Sequence, residues 1–411
     1  MTARTCRFCD APVTQPFVDL GSTPLANAYL TQAQLSEPEP RYPLRAFVCG
    51  ECWLVQADSF VPPEDIFSHY AYFSSFSDSW VEHARRFTVM ARERFGLDAS
   101  SQVIEVASND GYLLKHFVAA GVPVLGIEPA ANVAEAARQV GVPTEARFFG
   151  RGTAQDLVGR GLSADLVIGN NVLAHVPDIN DFVGGLAFVL KPDGVVSLEF
   201  PHLLRLIEGV QFDTVYHEHF YYLSLLAVET IFAAHGLRIF DVEELPTHGG
   251  SLRIMACRST SSAHETGAGV AKVRADERAA GFDRIETYAA FQSRVVPVKT
   301  GLLAFLEQAA REGKSVAAYG AAAKGNTLLN FSGVNTDQID YVVDRNPVKQ
   351  GHYLPGSHLP VLPPERIMET RPDYLLILPW NIRDEVMASM AGIRQWGGRF
   401  VVAVPELTVL P

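Results

Sequence analysis

Long apolar runs are missing from this 411-residue sequence, and without a stretch of about 18 or more apolar residues nothing should span a bilayer. The N-terminal segment MTARTCRFCD lacks the apolar core of a signal peptide, which predicts a cytoplasmic protein with reduced cysteines. Basic residues are also in deficit, and the net charge of −12 argues against a general nucleic-acid or anionic-membrane binder. A local basic pocket for a single phosphate group is still compatible with this composition.

Length and hydrophobic content predict two or three folded domains, because one domain usually takes about 100–200 residues. Hydrophobic residues make up 48% of the chain and charged residues 19%, which is globular composition with ample core material. Low-complexity tracts and short-period repeats are absent from the sequence. The chain is therefore expected to fold into ordinary packed domains rather than a repeat array.

Four of the five cysteines form two C-x-x-C pairs, Cys6 with Cys9 and Cys49 with Cys52. In a reducing compartment two such pairs are typical of a four-thiolate zinc site, and a redox dithiol is the alternative. Four thiolates leave no open position for water or substrate, so the predicted metal is structural and supplies folding energy to a small module. Cys257, alone in the apolar stretch SLRIMACRS, is expected to be a core thiol in a strand.

The chain divides into three predicted parts: a zinc-binding module at 1–66, a central domain at 67–298 and a C-terminal domain at 299–411. In the central part a helix at 76–95 precedes a βα alternation. Its apolar strand segments lie at 103–108, 122–129, 164–171 and 194–201. Apolar runs without polar alternation are typical of parallel strands covered on both faces, so this part is predicted to be a doubly wound, Rossmann-like α/β domain.

The C-terminal part repeats this pattern on a smaller scale. A long helical stretch at about 284–312 leads to a strand at 315–320 and to a helix that opens in AAAKGNTLLNF. Further strands are predicted in IDYVVDRNP, DYLLILPW and FVVAVPEL, with a helix between the last two. The fold class expected for the whole chain is α/β, with the small zinc module in front of two domains of related form.

The first strand of the central domain ends in VIEVASNDG, residues 103–111, and this loop carries the predicted cofactor site. Small residues there let the backbone approach a ligand closely, and Glu128 at the edge of the next strand suits two ribose hydroxyls. The phosphate-binding pattern G-x-G-x-x-G is missing, and Glu105 and Asp110 would repel a pyrophosphate. An acidic loop fits a cationic sulfonium and a free amino group, which favours S-adenosylmethionine over NAD or FAD.

The predicted cofactor-binding residues lie at the carboxyl edges of these strands: Glu105, Ala107, Asn109, Asp110, Glu128, Pro129, Asn170 and Asn171. The two neighbouring asparagines occupy positions where a purely packing role would favour apolar residues. This argues against an α/β domain that binds no ligand.

Five segments then appear in the order of a known family: the cysteine pairs, VIEVASNDGYLL, YHEHFYYLS, HGGSLR and YGAAAKGNTLLN. Together they make the chain resemble the nucleotide-sugar C-methyltransferases that build branched deoxysugars for natural products such as antibiotics, typically at sugar C3. The resemblance covers essentially the whole chain. It implies three domains, a thymidine-diphosphate 4-keto-sugar as substrate, and a monomer or loose oligomer. Many methyltransferases have glycine where this chain has Ala107, and we expect an ordinary φ at that residue, where a methyl group is tolerated.

Methyl transfer to carbon requires a carbon nucleophile, which a base creates by removing the proton beside a ketone. Tyr216, His217, Glu218 and His219 form a dense polar cluster after the central strands. In an extended segment alternate side chains would point to opposite faces, whereas a turn relaxes that separation. His219 is the predicted base because the histidine pKa lies near working pH. Tyr216 is the alternative base or an oxyanion donor, and Glu218 would orient the histidine or bind a sugar hydroxyl.

The resemblance adds two residues to the pocket. Tyr70 would cap the cofactor and sugar, and His175 would lie near the reacting carbon, although a helix-surface or core histidine is the alternative for His175.

The strand, small-residue turn and helix start in YGAAAKGNTLLN suit a diphosphate, with Lys324 adding charge. Asn326 and Asn381 are predicted as further substrate contacts, and a surface lysine on a packing helix is the alternative for Lys324.

Other interpretations remain open from sequence alone. Within enzymes these are methylation at sugar C5, O- or N-methylation, and C-methylation of another keto substrate. From a different class comes a zinc-containing binding protein with an idle methyltransferase fold. Calorimetry with S-adenosylmethionine separates that last interpretation from the others, because an idle fold should bind no cofactor.

Metal analysis of the purified protein is expected to give about one zinc per chain, since four thiolates complete one tetrahedral site. Cys6→Ser or Cys49→Ser should lose the metal because each removes a ligand. Cys257→Ala is the control and should keep it. Full zinc content in both serine variants would contradict the four-thiolate assignment.

Overall fold

The computed structural model describes residues 4–58, 61–62 and 73–411 of the chain, and three β-sheets organise them. The N-terminal module contributes three antiparallel strands: β1 (Gln15–Thr23), β2 (Tyr42–Val48) and β3 (Val55–Ala57). Residues 24–41, which include Pro24, Pro38 and Pro40, connect β1 to β2. Among these described residues no helix is long and apolar enough to cross a membrane.

The central domain alternates strands and helices. In chain order its strands are β4 (Val103–Val106), β5 (Val124–Ile127), β6 (Thr144–Glu145), β7 (Ala164–Asn170), β8 (Leu190–Pro201), β9 (Tyr221–Tyr222), β10 (Leu237–Leu245) and β11 (Ser251–Arg258). The helices are α1 (Asp78–Phe95), α2 (Leu114–Ala119), α3 (Ala131–Gln139), α4 (Arg151–Gly159), α5 (Ile179–Val189), α6 (Leu203–Glu208), α7 (Leu225–Ala234) and α8 (Ala268–Ala279). All these strands except β9 form one sheet.

The described order of that sheet is β10-β11-β8-β7-β4-β5-β6. The strands from β8 to β6 run parallel, and β11 is antiparallel to both of its neighbours. Apolar cores cover the sheet on its two faces. The predicted doubly wound, Rossmann-like domain is therefore confirmed. Cys257 is fully buried in β11, as expected for a core thiol.

The C-terminal domain builds a second, smaller α/β sheet in the order β14-β13-β12-β15-β16-β17. Its elements, in chain order, are α9 (Ile285–Ala289), α10 (Phe291–Arg311), β12 (Val316–Tyr319), α11 (Ala323–Ser332), β13 (Val342–Val343), β14 (Val361–Leu362), α12 (Arg366–Thr370), β15 (Tyr374–Ile377), α13 (Arg383–Ser389), β16 (Arg399–Val402) and β17 (Thr408–Leu410). The helical stretch expected at about 284–312 is divided at Ala290 into α9 and α10.

The loop after β4 departs from the expected backbone conformation. Ala107 has φ of +53°, so the expectation of an ordinary φ there is wrong. A non-glycine residue in this left-handed region costs roughly 1–2 kcal/mol. The turn also holds Asn109 at +50° and Gly111 at +77°, and the Asn109 amide donates to Glu128 Oε2 at 3.0 Å. The sharp turn brings the backbone to the strand edge even though alanine occupies the glycine position.

Strand β9 joins the zinc-module sheet instead of the central sheet. Val55 pairs with Tyr222, and the Ala57 amide donates to the Phe220 carbonyl at 3.0 Å. His219 immediately precedes Phe220 in the chain. The strand that follows the second cysteine pair is therefore bonded to the backbone one residue away from the predicted base.

Ala57→Pro removes the amide that bonds the Phe220 carbonyl. The turn that carries His219 should then shift, and a catalytic group displaced by about 1 Å can cost about 10²-fold in rate. We expect a fall of that order in methyl-transfer rate with little change in S-adenosylmethionine affinity measured by calorimetry.

Ala57→Gly is the matched control, because it changes the same side chain and keeps the amide. If the proline variant binds cofactor and also works at the rate of the glycine variant, the β3–β9 hydrogen bond does not position His219.

Candidate active site

The four paired cysteines converge in the N-terminal module. Cys6 Sγ lies 3.6 Å from Cys52 Sγ, and Cys9 Sγ lies 3.6 Å from Cys49 Sγ and 3.7 Å from Cys52 Sγ. A tetrahedron of sulfurs at the usual Zn–S distance has edges of about 3.8 Å, so these thiols fit one zinc ion. These four residues would hold the ion, which would supply folding energy and leave no open position for substrate.

A cavity of about 580 Å³ lies at the carboxyl ends of the central strands, where ligands bind in doubly wound sheets. Most of the predicted cofactor residues line it, namely Ala107, Asn109, Glu128, Pro129, Asn170 and Asn171. Glu105 and Asp110 are not among its lining residues. Both side chains are buried.

Glu128 is held at the cavity wall by the backbone. Its Oε1 accepts from the Ala130 amide at 2.9 Å and its Oε2 from the Asn109 amide at 3.0 Å. Burial raises its pKa above the ordinary value, and these two amides oppose that shift. A carboxylate fixed in this way at the end of β5 has lone pairs left for the two hydroxyls of a ribose.

Glu105 and Asp110 add two buried carboxyl groups to the cofactor loop. Among the described residues neither oxygen of Glu105 has a hydrogen-bond partner, and burial together with Glu128 and Asp110 raises its pKa well above normal. Asp110 Oδ2 accepts from the Ser75 amide at 3.0 Å and so anchors the chain that enters α1. Several carboxyl groups close together favour a cationic ligand over a pyrophosphate.

Aromatic side chains form part of the cavity wall, and the sequence analysis does not predict them. Phe148 and Phe149 follow β6, and Trp80 projects from α1 and stacks on Tyr112 with ring centroids 6.1 Å apart. Tyr112 OH also accepts from Asn170 Nδ2 at 3.3 Å. Their position in the sequence could have indicated this role, because Phe148 and Phe149 follow the strand next to β5. These flat apolar surfaces suit a nucleobase.

The YHEH segment forms a turn closed by the His219 amide donating to the Tyr216 carbonyl at 2.9 Å. The turn removes the alternation expected of an extended segment. Tyr216 and His219 both line the cavity, with ring centroids 4.0 Å apart. His217 Nε2 instead bonds the Pro43 carbonyl, 3.3 Å away in the zinc module.

Glu218 lies on the other side of this turn and is not among the cavity-lining residues. Its Oε1 accepts from Asn27 Nδ2 at 2.6 Å, and burial raises its pKa to about 7. This carboxyl group therefore connects the turn to the N-terminal module.

The ring of His219 has a defined tautomer. Its Nδ1 lies 2.8 Å from the Thr214 carbonyl, which only accepts, so Nδ1 carries the hydrogen and Nε2 keeps the lone pair. Burial and the nearby His175 lower the His219 pKa well below its usual value. A neutral imidazole with a free lone pair in a cavity is the form that accepts a proton.

His175 lies in a turn after β7 and also lines the cavity, with its ring centroid 4.6 Å from that of His219. Burial lowers the His175 pKa to about 4, so this ring too is neutral near pH 7. Tyr70, the other residue brought in by the resemblance, falls outside the described ranges.

The far end of the cavity is basic. Ala322, Ala323 and Lys324 at the start of α11 line it together with Lys349. Lys324 Nζ donates to Asn381 Oδ1 at 2.7 Å, so these two predicted substrate residues are in contact. The start of a ten-residue helix with two lysines beside it is a favourable place for an anion.

Asn326, the third predicted substrate residue, is 1% exposed and donates through Nδ2 to the Ala26 carbonyl at 2.6 Å. It is not among the cavity-lining residues. It packs the C-terminal domain against the zinc module. Lys349, which had no assigned role from sequence, lies just after β13, the strand beside β12.

Comparison with known proteins assigns each part of the chain. Residues 6–67 match a putative zinc binding domain, residues 80–242 a methyltransferase domain, and residues 246–405 a C-methyltransferase C-terminal domain. The C-methyltransferase NovU of Streptomyces niveus is 36% identical over 405 residues, which cover 98% of this chain and 96% of NovU.

More distant similarities cover only part of the chain. A ubiquinone biosynthesis O-methyltransferase of Rhodopseudomonas palustris is 28% identical over 98 residues, covering 24% of this chain and 39% of that protein. The solved structure of magnesium protoporphyrin IX methyltransferase from Synechocystis PCC 6803 with bound SAM has a TM-score of 0.34 at 17% identity, covering 43% of this chain and 79% of that one.

Taken with the paired cysteines and the acidic cofactor loop, the full-length match to NovU and the three domain matches identify the chain: it belongs to the C-methyltransferase family, uses S-adenosylmethionine and carries an N-terminal zinc-binding domain.

Proposed function

We propose that this enzyme methylates C3 of a dTDP-4-keto-deoxysugar in branched-sugar biosynthesis. The observation that supports this most directly is the shared cavity. The His219 ring, with its Nε2 lone pair, lines the same cavity as Glu128 and Lys324. A nucleotide-linked ketone needs an anion site at one end, a base in the middle and a methyl donor beyond the base. The cavity wall contains a group suited to each of these tasks.

The reaction begins with removal of the proton beside the keto group by His219 Nε2. The hydrogen bond from Nδ1 to the Thr214 carbonyl holds the ring and stabilises the imidazolium that forms. Tyr216, with its ring 4.0 Å from that of His219, can donate to the oxygen that becomes negative. S-adenosylmethionine, when bound, supplies an electrophilic methyl group for the resulting carbanion.

Binding of the two ligands uses opposite charges at the two ends of the cavity. Glu128 accepts hydrogen bonds from the ribose hydroxyls of the cofactor. Glu105 and Asp110 favour binding of the positively charged cofactor. Lys324, Lys349 and the start of α11 attract the diphosphate of the substrate. His175, neutral and beside His219, contributes a polar wall around the reacting carbon.

Transfer of labelled methyl from S-adenosylmethionine to a dTDP-4-keto-deoxysugar tests the proposed function. The product should carry the label in a new methyl group on carbon, and NMR should assign that carbon as C3. A new methyl group at C5 would agree with proton removal beside a ketone and would show that C5, not C3, is the methylated carbon. Label on oxygen or nitrogen, or no transfer to any keto-sugar, would overturn the proposal.

His219→Asn separates the two functions of the histidine. The asparagine amide can still donate to the Thr214 carbonyl, whereas the Nε2 lone pair is lost. We expect kcat to fall by about 10²–10⁴-fold, with S-adenosylmethionine affinity unchanged. Exchange of the proton beside the ketone in deuterated water should fall in parallel.

The pH profile gives an independent check on His219. Because burial holds its pKa well below 6.5, the neutral base persists as the pH falls, and the acid limb of kcat/KM is expected below pH 6.5.

Tyr216→Phe is the matched comparison for His219→Asn. If that variant loses exchange and His219→Asn keeps it, Tyr216 is the base.

A further inference from the structure

The HGG segment at 248–250 contributes His248 to the cavity wall, although no role follows for this residue from the reaction above. It forms the turn between β10 and β11, with His248 at φ +54° and Gly249 at +91°. A Cβ on Gly249 would lie 2.4 Å from the ring of Trp380, so glycine is required by close contact with the C-terminal domain. The turn is clamped between two domains, and the side chain of His248 lines the cavity.

The hydrogen bond between Asn171 and His248 bears on which ring nitrogen carries the hydrogen. Asn171 Nδ2 lies 3.0 Å from His248 Nε2, and with this amide nitrogen as the donor Nε2 accepts and Nδ1 carries the hydrogen. Asn171 is itself held rigidly, at φ +54°, with its backbone amide donating to the Glu199 carbonyl at 2.7 Å. The remaining polar group of the His248 ring is thus an N–H donor on a cavity wall.

The position of His248 places this donor between the two functional ends of the cavity. Its ring packs edge-on against Trp80, with centroids 5.2 Å apart. Lys324 from the anion end lies close enough to lower the pKa of His248, and His248 in turn lowers that of His219. A sugar whose diphosphate binds at Lys324 and whose proton is removed by His219 would therefore lie beside the His248 ring.

We propose that His248 donates a hydrogen bond through Nδ1 to the keto oxygen of the substrate and holds it as negative charge develops there. This rests on the proposed function, since only a ketone substrate generates such an oxygen. The proton leaves the sugar carbon for His219 Nε2, the electron pair moves onto the keto oxygen, and His248 keeps its own proton. As the carbon–methyl bond forms and the sulfur–methyl bond breaks, that electron pair returns to carbon and the ketone is restored.

A neutral donor is well suited to this task. Burial lowers the His248 pKa to about 4, so the ring does not gain a second proton near pH 7. Its N–H is oriented before the substrate arrives, and oriented donors in a site shielded from water stabilise a developing oxyanion strongly. The left-handed φ at this position is one that histidine and asparagine adopt more readily than most residues.

The test compares His248→Ala with His248→Asn. Alanine removes the donor, whereas asparagine fits the same backbone conformation and places an amide N–H near the position of Nδ1. We expect kcat to fall by about 10²–10³-fold in the alanine variant with KM for both ligands little changed. The asparagine variant should recover at least about tenfold of that loss, and solvent deuterium exchange should follow the same order.

Asn171→Asp adds a readout that a merely structural role would not produce. An aspartate in the same shape accepts instead of donating, so Nε2 of His248 must carry a hydrogen, and the carboxylate raises the pKa of the ring. Above that pKa the neutral ring has no donor at Nδ1, so we expect kcat to fall as the pH rises, a loss that wild type does not show, while the melting temperature is kept.

The outcomes separate the inference from the proposed function. If wild-type enzyme methylates no ketone, the proposed function fails and the role of His248 fails with it. If wild type is active and His248→Ala retains its rate, or asparagine is no better than alanine, only the inference is overturned.

Discussion

The catalytic arrangement depends on one segment, Val215–Tyr222, being held by all three parts of the chain at once. The zinc module bonds it through Ala57 to Phe220, the central domain through the Phe220 amide and the Ala174 carbonyl at 2.7 Å, and the C-terminal domain through Thr327 Oγ1 and the Val215 carbonyl at 3.2 Å. Each of these bonds involves a backbone atom of the segment, so together they constrain the path of the chain rather than one side chain. His219 is positioned because the segment around it has little freedom left.

Charge is distributed along the cavity rather than concentrated at one point. Carboxyl groups gather at the loop after β4, neutral imidazoles line the cavity wall, and lysines lie at the start of α11 and after β13. Burial keeps these imidazoles neutral, since it lowers the pKa of His175, His219 and His248 alike. One physical effect therefore prepares three rings that can accept or donate a hydrogen bond without carrying charge.

Sequence reasoning succeeded where local pattern decides structure. The strands β4, β5, β7 and β8 can be recognised by their apolar runs, and the zinc site by the spacing of the four cysteines. Strand β9 has two residues, and its pairing with β3 joins positions far apart in the chain, so no local signal predicts it. β10 has an interrupted, mixed polar and apolar pattern because it lies at the edge of the described sheet. Ala107 shows the same limit, since its left-handed φ comes from the turn rather than from the residue.

The sequence also does not predict the directions in which these polar side chains point. Glu218 and Asn326 stand in the same motifs as His219 and Lys324, yet turn geometry and helix phase point both toward the zinc module. Because β9 completes the sheet of that module, the three parts are not interchangeable cassettes. A chimera that exchanges the N-terminal module between relatives would have to carry Tyr221–Tyr222 with it. Otherwise the transplanted sheet would meet a foreign edge strand beside the reacting groups.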